Sequence, residues 1–231
     1  MNGNRSIPAT IADITPEWMT GVLQDAGFPA VTVQSMNQSE SNGAGAGSDS
    51  GVLNLTYSET GPDAPDSVFV KVVTTSAGAG ASLDDIGWYE SEADFYNGPG
   101  RNPGVRVPRA YFAAYQPGPL RYVSVIENIT DATGRLSFDD VTLSDLTAVV
   151  RTMAQLHAYW WGSKALSPYV GKSKFYDAAR METGFSEWWP ASREFAVEHM
   201  PANAVEAGDL LLGNVERVLG PLLSKTPTLR H

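Results

Sequence analysis

Lys71 stands in SVFVKVV (67–73) as a lone cation among apolar residues. Alternation puts Phe69, Lys71 and Val73 on one face of a strand and Val68, Val70 and Val72 on the other. An ammonium on a strand with two buried faces is costly unless it meets an anion. On an edge strand the same lysine would instead deter aggregation, and the local sequence leaves both readings open. Glu92 is the candidate partner, in the helical stretch LDDIGWYESEADFYN (83–97). Trp88, Tyr89, Phe95 and Tyr96 lie three or four residues to either side of it, which predicts an inward carboxylate on an aromatic stripe. Glu90 neighbours Gly87 and Asp94 and is expected to face outward. The alternative for Glu92 is a partly exposed place on the stripe's rim.

Upstream, SNGAGAGSDSG (41–51) sets Gly43, Gly45, Gly47 and Gly51 between two strand-like runs. Glycine serves where backbone amides close on phosphate oxygens with no Cβ in the way. Ser48 stands where the last glycine of a dinucleotide fingerprint would be, a strand follows instead of a helix, and no Lys follows in P-loop spacing. What remains is a phosphate-covering loop between strands, as in kinases, or a merely flexible hairpin. AGAG (77–80) reads as a connector. Asp139 and Asp140 could be paired catalytic carboxylates, but acids just before a helix commonly complement its dipole. His157 lies on an apolar helical stripe and reads as a hydrogen-bonded core residue. Three scattered histidines, His157, His199 and His231, suggest neither a metal cluster nor a Ser-His-Asp set.

The elements that must position these residues are legible. TPEWMTGVLQDAG (15–27) predicts a helix capped by Thr15, with Pro16 in its first turn, Gly27 at its end and Trp18, Met19, Val22 and Leu23 on one stripe. VTVQSM (31–36), GVLNLTY (51–57), SVFVKVV (67–73), RAYFAAY (109–115) and LRYVSVIE (120–127) predict strands, with connections too short for parallel crossovers. Beyond about residue 130 the period turns helical. Thr142 and Asp145 form a capping-box pair, and Leu146, Val149, Val150, Met153, His157, Trp160 and Trp161 make an apolar stripe. Further helices are expected over about 184–198 and 202–224, with the tryptophans at 160, 161, 188 and 189 as core or groove wall.

Composition excludes whole classes. The chain has 231 residues, 42% hydrophobic and 18% charged, so it is globular rather than disordered. A net charge of -10 with no basic run repels a nucleic-acid partner. The absence of cysteine removes disulfides, thiolate zinc sites and a Cys nucleophile. No secretory signal and no membrane-length apolar run is visible, so the expectation is a cytoplasmic protein without a membrane partner. Asn54 and Asn128 match the glycosylation pattern but fall in strand-like runs and are discounted.

Together these residues resemble the aminoglycoside phosphotransferase and choline kinase-like superfamily, near its ecdysteroid kinase-like branch. The likeness rests on the glycine stretch with LNLTY (53–57), FVKVV (69–73), YESEADFY (89–96) and MAQLHAYWWG (153–162), with VPRAYFA (107–113) and VSVIENI (123–129) leading into a nucleotide hinge. The resemblance implies an α+β, protein kinase-like bilobal fold. An antiparallel-sheet N-lobe would span 1–128 and a partial helical C-lobe 129–231. It implies ATP with Mg²⁺ as cofactors, and transfer of phosphate to a hydroxyl of a small molecule. Lys71 would contact phosphates, Glu92 would anchor Lys71, and Gly43, Gly45, Gly47 and Ser48 would cover the triphosphate. Backbone groups of Glu127 and Ile129 would meet adenine, and Asn128 replaces an Asp frequent in the family. His231 would open the family's His-Gly-Asp catalytic loop, so the transfer residues and metal ligands are expected to follow it, and the 231-residue chain alone is expected to be inactive. The alternative is a non-catalytic nucleotide-binding or interaction module of the same fold.

Overall fold

The computed structural model describes residues 5–39, 48–74, 87–130, 141–169 and 177–223. Among them lie six α-helices and one five-stranded antiparallel sheet, an α+β architecture. One compact unit runs to Trp160 and a second begins at Trp161. The 43–47 glycines, 77–80, Asp131, Asp139, Asp140 and His231 lie outside the described residues.

In the first unit, helix α1 (Pro16–Asp25) follows a 3-10 turn, Ile11–Asp13. The Thr15 hydroxyl accepts from the Trp18 amide at 3.2 Å, and Gly27, at φ 104°, takes a turn that a side chain would resist. The strands are β1 (Thr32–Gln38), β2 (Asp49–Glu59), β3 (Ser67–Thr74), β4 (Ala110–Gln116) and β5 (Arg121–Glu127). Their order across the sheet is β1-β2-β3-β5-β4. Helix α2 (Trp88–Asn97) falls between β3 and β4 in the chain.

The two faces of the sheet carry different layers. Met19, Val22 and Leu23 of α1 share one core with Val33, Leu53, Leu55, Val68, Val70, Val72, Val123 and Val125. Helix α1 touches both edge strands: the Thr20 hydroxyl accepts from the Val33 amide, Gln24 donates to Val31 O, and Trp18 packs edge-on against Phe112 at 5.5 Å. The opposite face packs on α2 through Val73, Tyr89, Ala93, Leu120 and Tyr122.

Helix α3 (Leu143–Trp160) closes this unit. Thr142 caps it in both directions, donating to Asp145 through amide and hydroxyl at 2.9 and 2.6 Å and accepting the Asp145 amide at 3.2 Å. Its apolar stripe is not a covered core face: Leu146, Val149 and Val150 are more than half exposed, and only Trp160 is buried, with its indole N–H on Pro103 O. Periodicity identified the apolar side, but a stripe does not say what covers it.

The second unit contains α4 (Ala178–His199), α5 (Ala202–Leu211) and α6 (Val215–Leu223). The single helix expected over 202–224 is two. Gly213, at φ 73°, breaks it, and the carboxylate of Glu182 accepts the Glu216 amide at the new helix start. Trp189 is buried against Phe185 and against Gly208, where a Cβ would overlap the indole. Its N–H donates to Asp209, which Arg193 grips with two bonds of 2.7 Å. The Arg193 bonds, then the Trp189 bond, lower the Asp209 pKa from 3.8 to about 2. Trp188 and Trp161, expected as core or groove wall, are 58% and 64% exposed. No helix among the described residues is long and apolar enough to cross a membrane.

Candidate functional site

Lys71 sits on β3, the central strand of the sheet, so the edge-strand reading falls. Its neighbours Val70 and Val72 point into the α1 core and Val73 into the α2 layer, which confirms two buried faces. The ammonium Nζ donates to Glu92 Oε2 at 2.7 Å, and the two side chains are 20% and 23% exposed. The pair is therefore largely covered, with an opening to solvent. Tyr89 and Ala93, four residues apart, form the buried face of α2, and Glu92 lies beside them. Trp88 does not belong to that face: it is 45% exposed, because it is the first residue of the helix and lies beside rather than under the Tyr89–Ala93 line. Glu90 is half-buried and is not the partner of Lys71. It lines a shallow cleft with Asp94 and Asn97 against Ala113, Ala114 and Tyr115 of β4.

The sheet register supplies a second observation. Ser50 of β2 is directly opposite Lys71, and Ser124 of β5 is opposite it on the other side. Opposed residues in an antiparallel pair share a face, so Ser50, Lys71 and Ser124 form one polar row on the α2 side. Ser50 is 7% and Ser124 1% exposed. Ser48, two residues before Ser50, is half-buried at the exit of the glycine stretch. Strand β2, which begins at Asp49, therefore meets Lys71 at its second residue.

Next along the strands, Val52, Phe69 and Ile126 form a parallel row in register, each half-buried. Two residues of strand separate the rows by about 7 Å. An apolar shelf thus adjoins the ammonium on the same face. At the end of β5, the Glu127 amide donates to Arg109 O at 2.8 Å, and its carboxylate accepts from the Arg109 amide at 3.0 Å. The amide being committed, a ligand contact at Glu127 falls to its carbonyl. Asn128 donates to the Ser67 hydroxyl at 2.9 Å, and Ile129 follows, half-buried, just past the strand.

Sequence reasoning placed Tyr89 on the inward stripe of α2 but missed Tyr122 and the approach of both rings to Lys71. Tyr89 and Tyr122 are 1% and 0% exposed, their ring centroids 5.3 Å apart, and Lys71 Nζ lies 5.4 and 5.5 Å from the two centroids. Burial first, and then the Glu92 charge, holds the Tyr122 phenol far above its ordinary pKa and pushes Tyr96 up to about 12. Both stay neutral through the physiological range. The alternation of LRYVSVIE carries the signal: Tyr122, Ser124 and Ile126 share the face opposite Val123 and Val125. Which strand would lie beside it could not be read.

Among the described residues no group of three or more acidic or imidazole side chains could hold a metal ion. Comparison of the chain with protein-family models, with curated proteins and with solved structures found no match.

Proposed function

We propose that this chain binds ATP at the Lys71–Glu92 site, as the nucleotide-holding part of a kinase-like phosphotransferase acting on a hydroxyl of a small molecule. The observation that carries the reading is the 2.7 Å ion pair between a central-strand lysine and the next described helix. Two features support it. The strand that follows the glycine-rich sequence places Ser50, its second residue, directly opposite Lys71, and glycine-rich sequence ahead of such a strand suits backbone amides that close on phosphate. The shelf of Val52, Phe69 and Ile126 offers an apolar plane of the kind that receives a purine, with the Glu127 carbonyl and Ile129 at its end.

In this reading Lys71 neutralises phosphate charge and Glu92 holds the ammonium in place. Mg²⁺ would accompany the triphosphate, but the described residues offer no ligand set for it, so no step here is assigned to a metal. A second reading is a nucleotide-binding or interaction module without transfer chemistry. The exposed Leu146, Val149 and Val150 favour it, as an apolar face suited to a partner. An ATP-dependent phosphorylation assay with small alcohols separates the two.

The binding test is calorimetric titration with MgATP. A Kd near 1 mM, about -4 kcal/mol, is expected, lost in Lys71→Ala and kept in Glu90→Ala. Absence of binding, or equal damage from both substitutions, would refute the assignment.

A further inference from the structure

Lys71 is held by more than its carboxylate. Its ammonium lies 2.7 Å from Glu92 and within 5.5 Å of two ring centroids that are themselves in contact. Ring faces carry negative electrostatic potential and attract a cation within about 6 Å. The rings come from different elements: Tyr89 from the first turn of α2, and Tyr122 from β5, opposite Val73 in register. Both are essentially fully buried, so their places are set by packing. Glu92 is on a helix whose remaining contacts are mainly with β4, whereas Tyr122 belongs to the strand hydrogen-bonded to β3.

We infer that Tyr89 and Tyr122 are positioning residues of the nucleotide site, their ring faces forming a cage that aims the Lys71 ammonium. This inference rests on the reading of Lys71 as the phosphate contact. In this arrangement Glu92 fixes one side of the ammonium and the rings fix another, so the side turned to solvent is left for an anion. Lys71 therefore keeps its direction when Glu92 alone is neutralised, and loses it when the ring potential is removed.

The test varies ring potential at constant shape. Position 122, and separately position 89, is replaced by phenylalanine and then by its mono-, di- and trifluoro forms, which drain the ring face step by step. Two readouts are taken on the full chain: MgATP affinity, and the proton resonances of the Lys71 ε-methylene, which ring currents displace upfield if the side chain lies over the rings. The expected result is an upfield ε-methylene signal. Relative to the phenylalanine form, MgATP affinity should fall stepwise, about tenfold (about 1.4 kcal/mol) over the series, with an unchanged urea midpoint. An ε-methylene at its ordinary position overturns the cage whatever the nucleotide does. Affinity that is flat across the series, or that falls only with stability, overturns the positioning role. A displaced ε-methylene that follows the series in a protein that binds no MgATP upholds the cage and refutes the nucleotide reading alone.

Discussion

Neutralising Glu92 tests the central pair directly. Glu92→Gln keeps the volume and an acceptor oxygen, so the change reports the lost charge. Breaking a fully buried pair costs about 3–5 kcal/mol, and an exposed pair is worth about 0.2–1 kcal/mol. With 20% and 23% of the two side chains exposed, this pair lies nearer the buried limit. Against that, the ammonium keeps its two ring contacts, each of about 0.5–1 kcal/mol at partly exposed sites. The net expectation is a loss of about 2 kcal/mol, or about 1 M in urea midpoint for a slope near 2 kcal/mol/M. Equilibrium urea melts of the first unit, followed by circular dichroism, measure it, with Glu90→Gln as the control that leaves Lys71 paired. Adding Lys71→Met to Glu92→Gln should recover part of the loss, since no uncompensated charge then remains. A midpoint shift below about 0.3 M, or an equal shift in Glu90→Gln, would refute the argument that this carboxylate compensates a covered cation.

Three further outcomes follow from the packing. Leu23→Ala, at a fully buried position on α1, should destabilise the first unit by about 2–5 kcal/mol in the same melts while leaving far-ultraviolet helicity near the wild-type value. Gly208→Ala places a Cβ into the Trp189 indole and should lower the thermal midpoint of the second unit by an amount equivalent to about 1–3 kcal/mol, read from tryptophan fluorescence. Asp209 is depressed from 3.8 to about 2, so its contribution is fully present above pH 4 and lost as pH falls toward 2. Acid titration of tryptophan fluorescence should show a transition in that window that Asp209→Asn lacks, and an identical profile in the variant would contradict it.

The strands were legible because a period of two survives when both faces are apolar: SVFVKVV assigns Val70 and Val72 to one layer and Lys71 and Val73 to the other, as observed. The start of α1 was legible because capping is local, Thr15 reaching only as far as Trp18. The inward side of α2 was legible at Glu92 but not at Trp88, because aromatic character does not separate a buried helix position from one at its margin. The division after α5 escaped because Gly213 in a helical run is tolerated as readily as it is used for a left-handed turn. The polar row and the tyrosines depend on which strands lie side by side. The chain order of β3, β4 and β5 does not disclose that β5 inserts between the other two.

The charge on β3 has a consequence for how the sheet is assembled, whatever it binds. Slipping β3 by one residue against β2 and β5 would exchange its faces. The ammonium of Lys71 would then enter the layer of Met19, Val22 and Leu23, where no carboxylate stands among the described buried residues. Val70 and Val72 would meet the carboxylate of Glu92. An all-valine strand could slide at little cost, since either side would suit either layer. One lysine among the valines acts as a proofreading mark, admitting the correct alignment and rejecting its nearest neighbours before any ligand arrives.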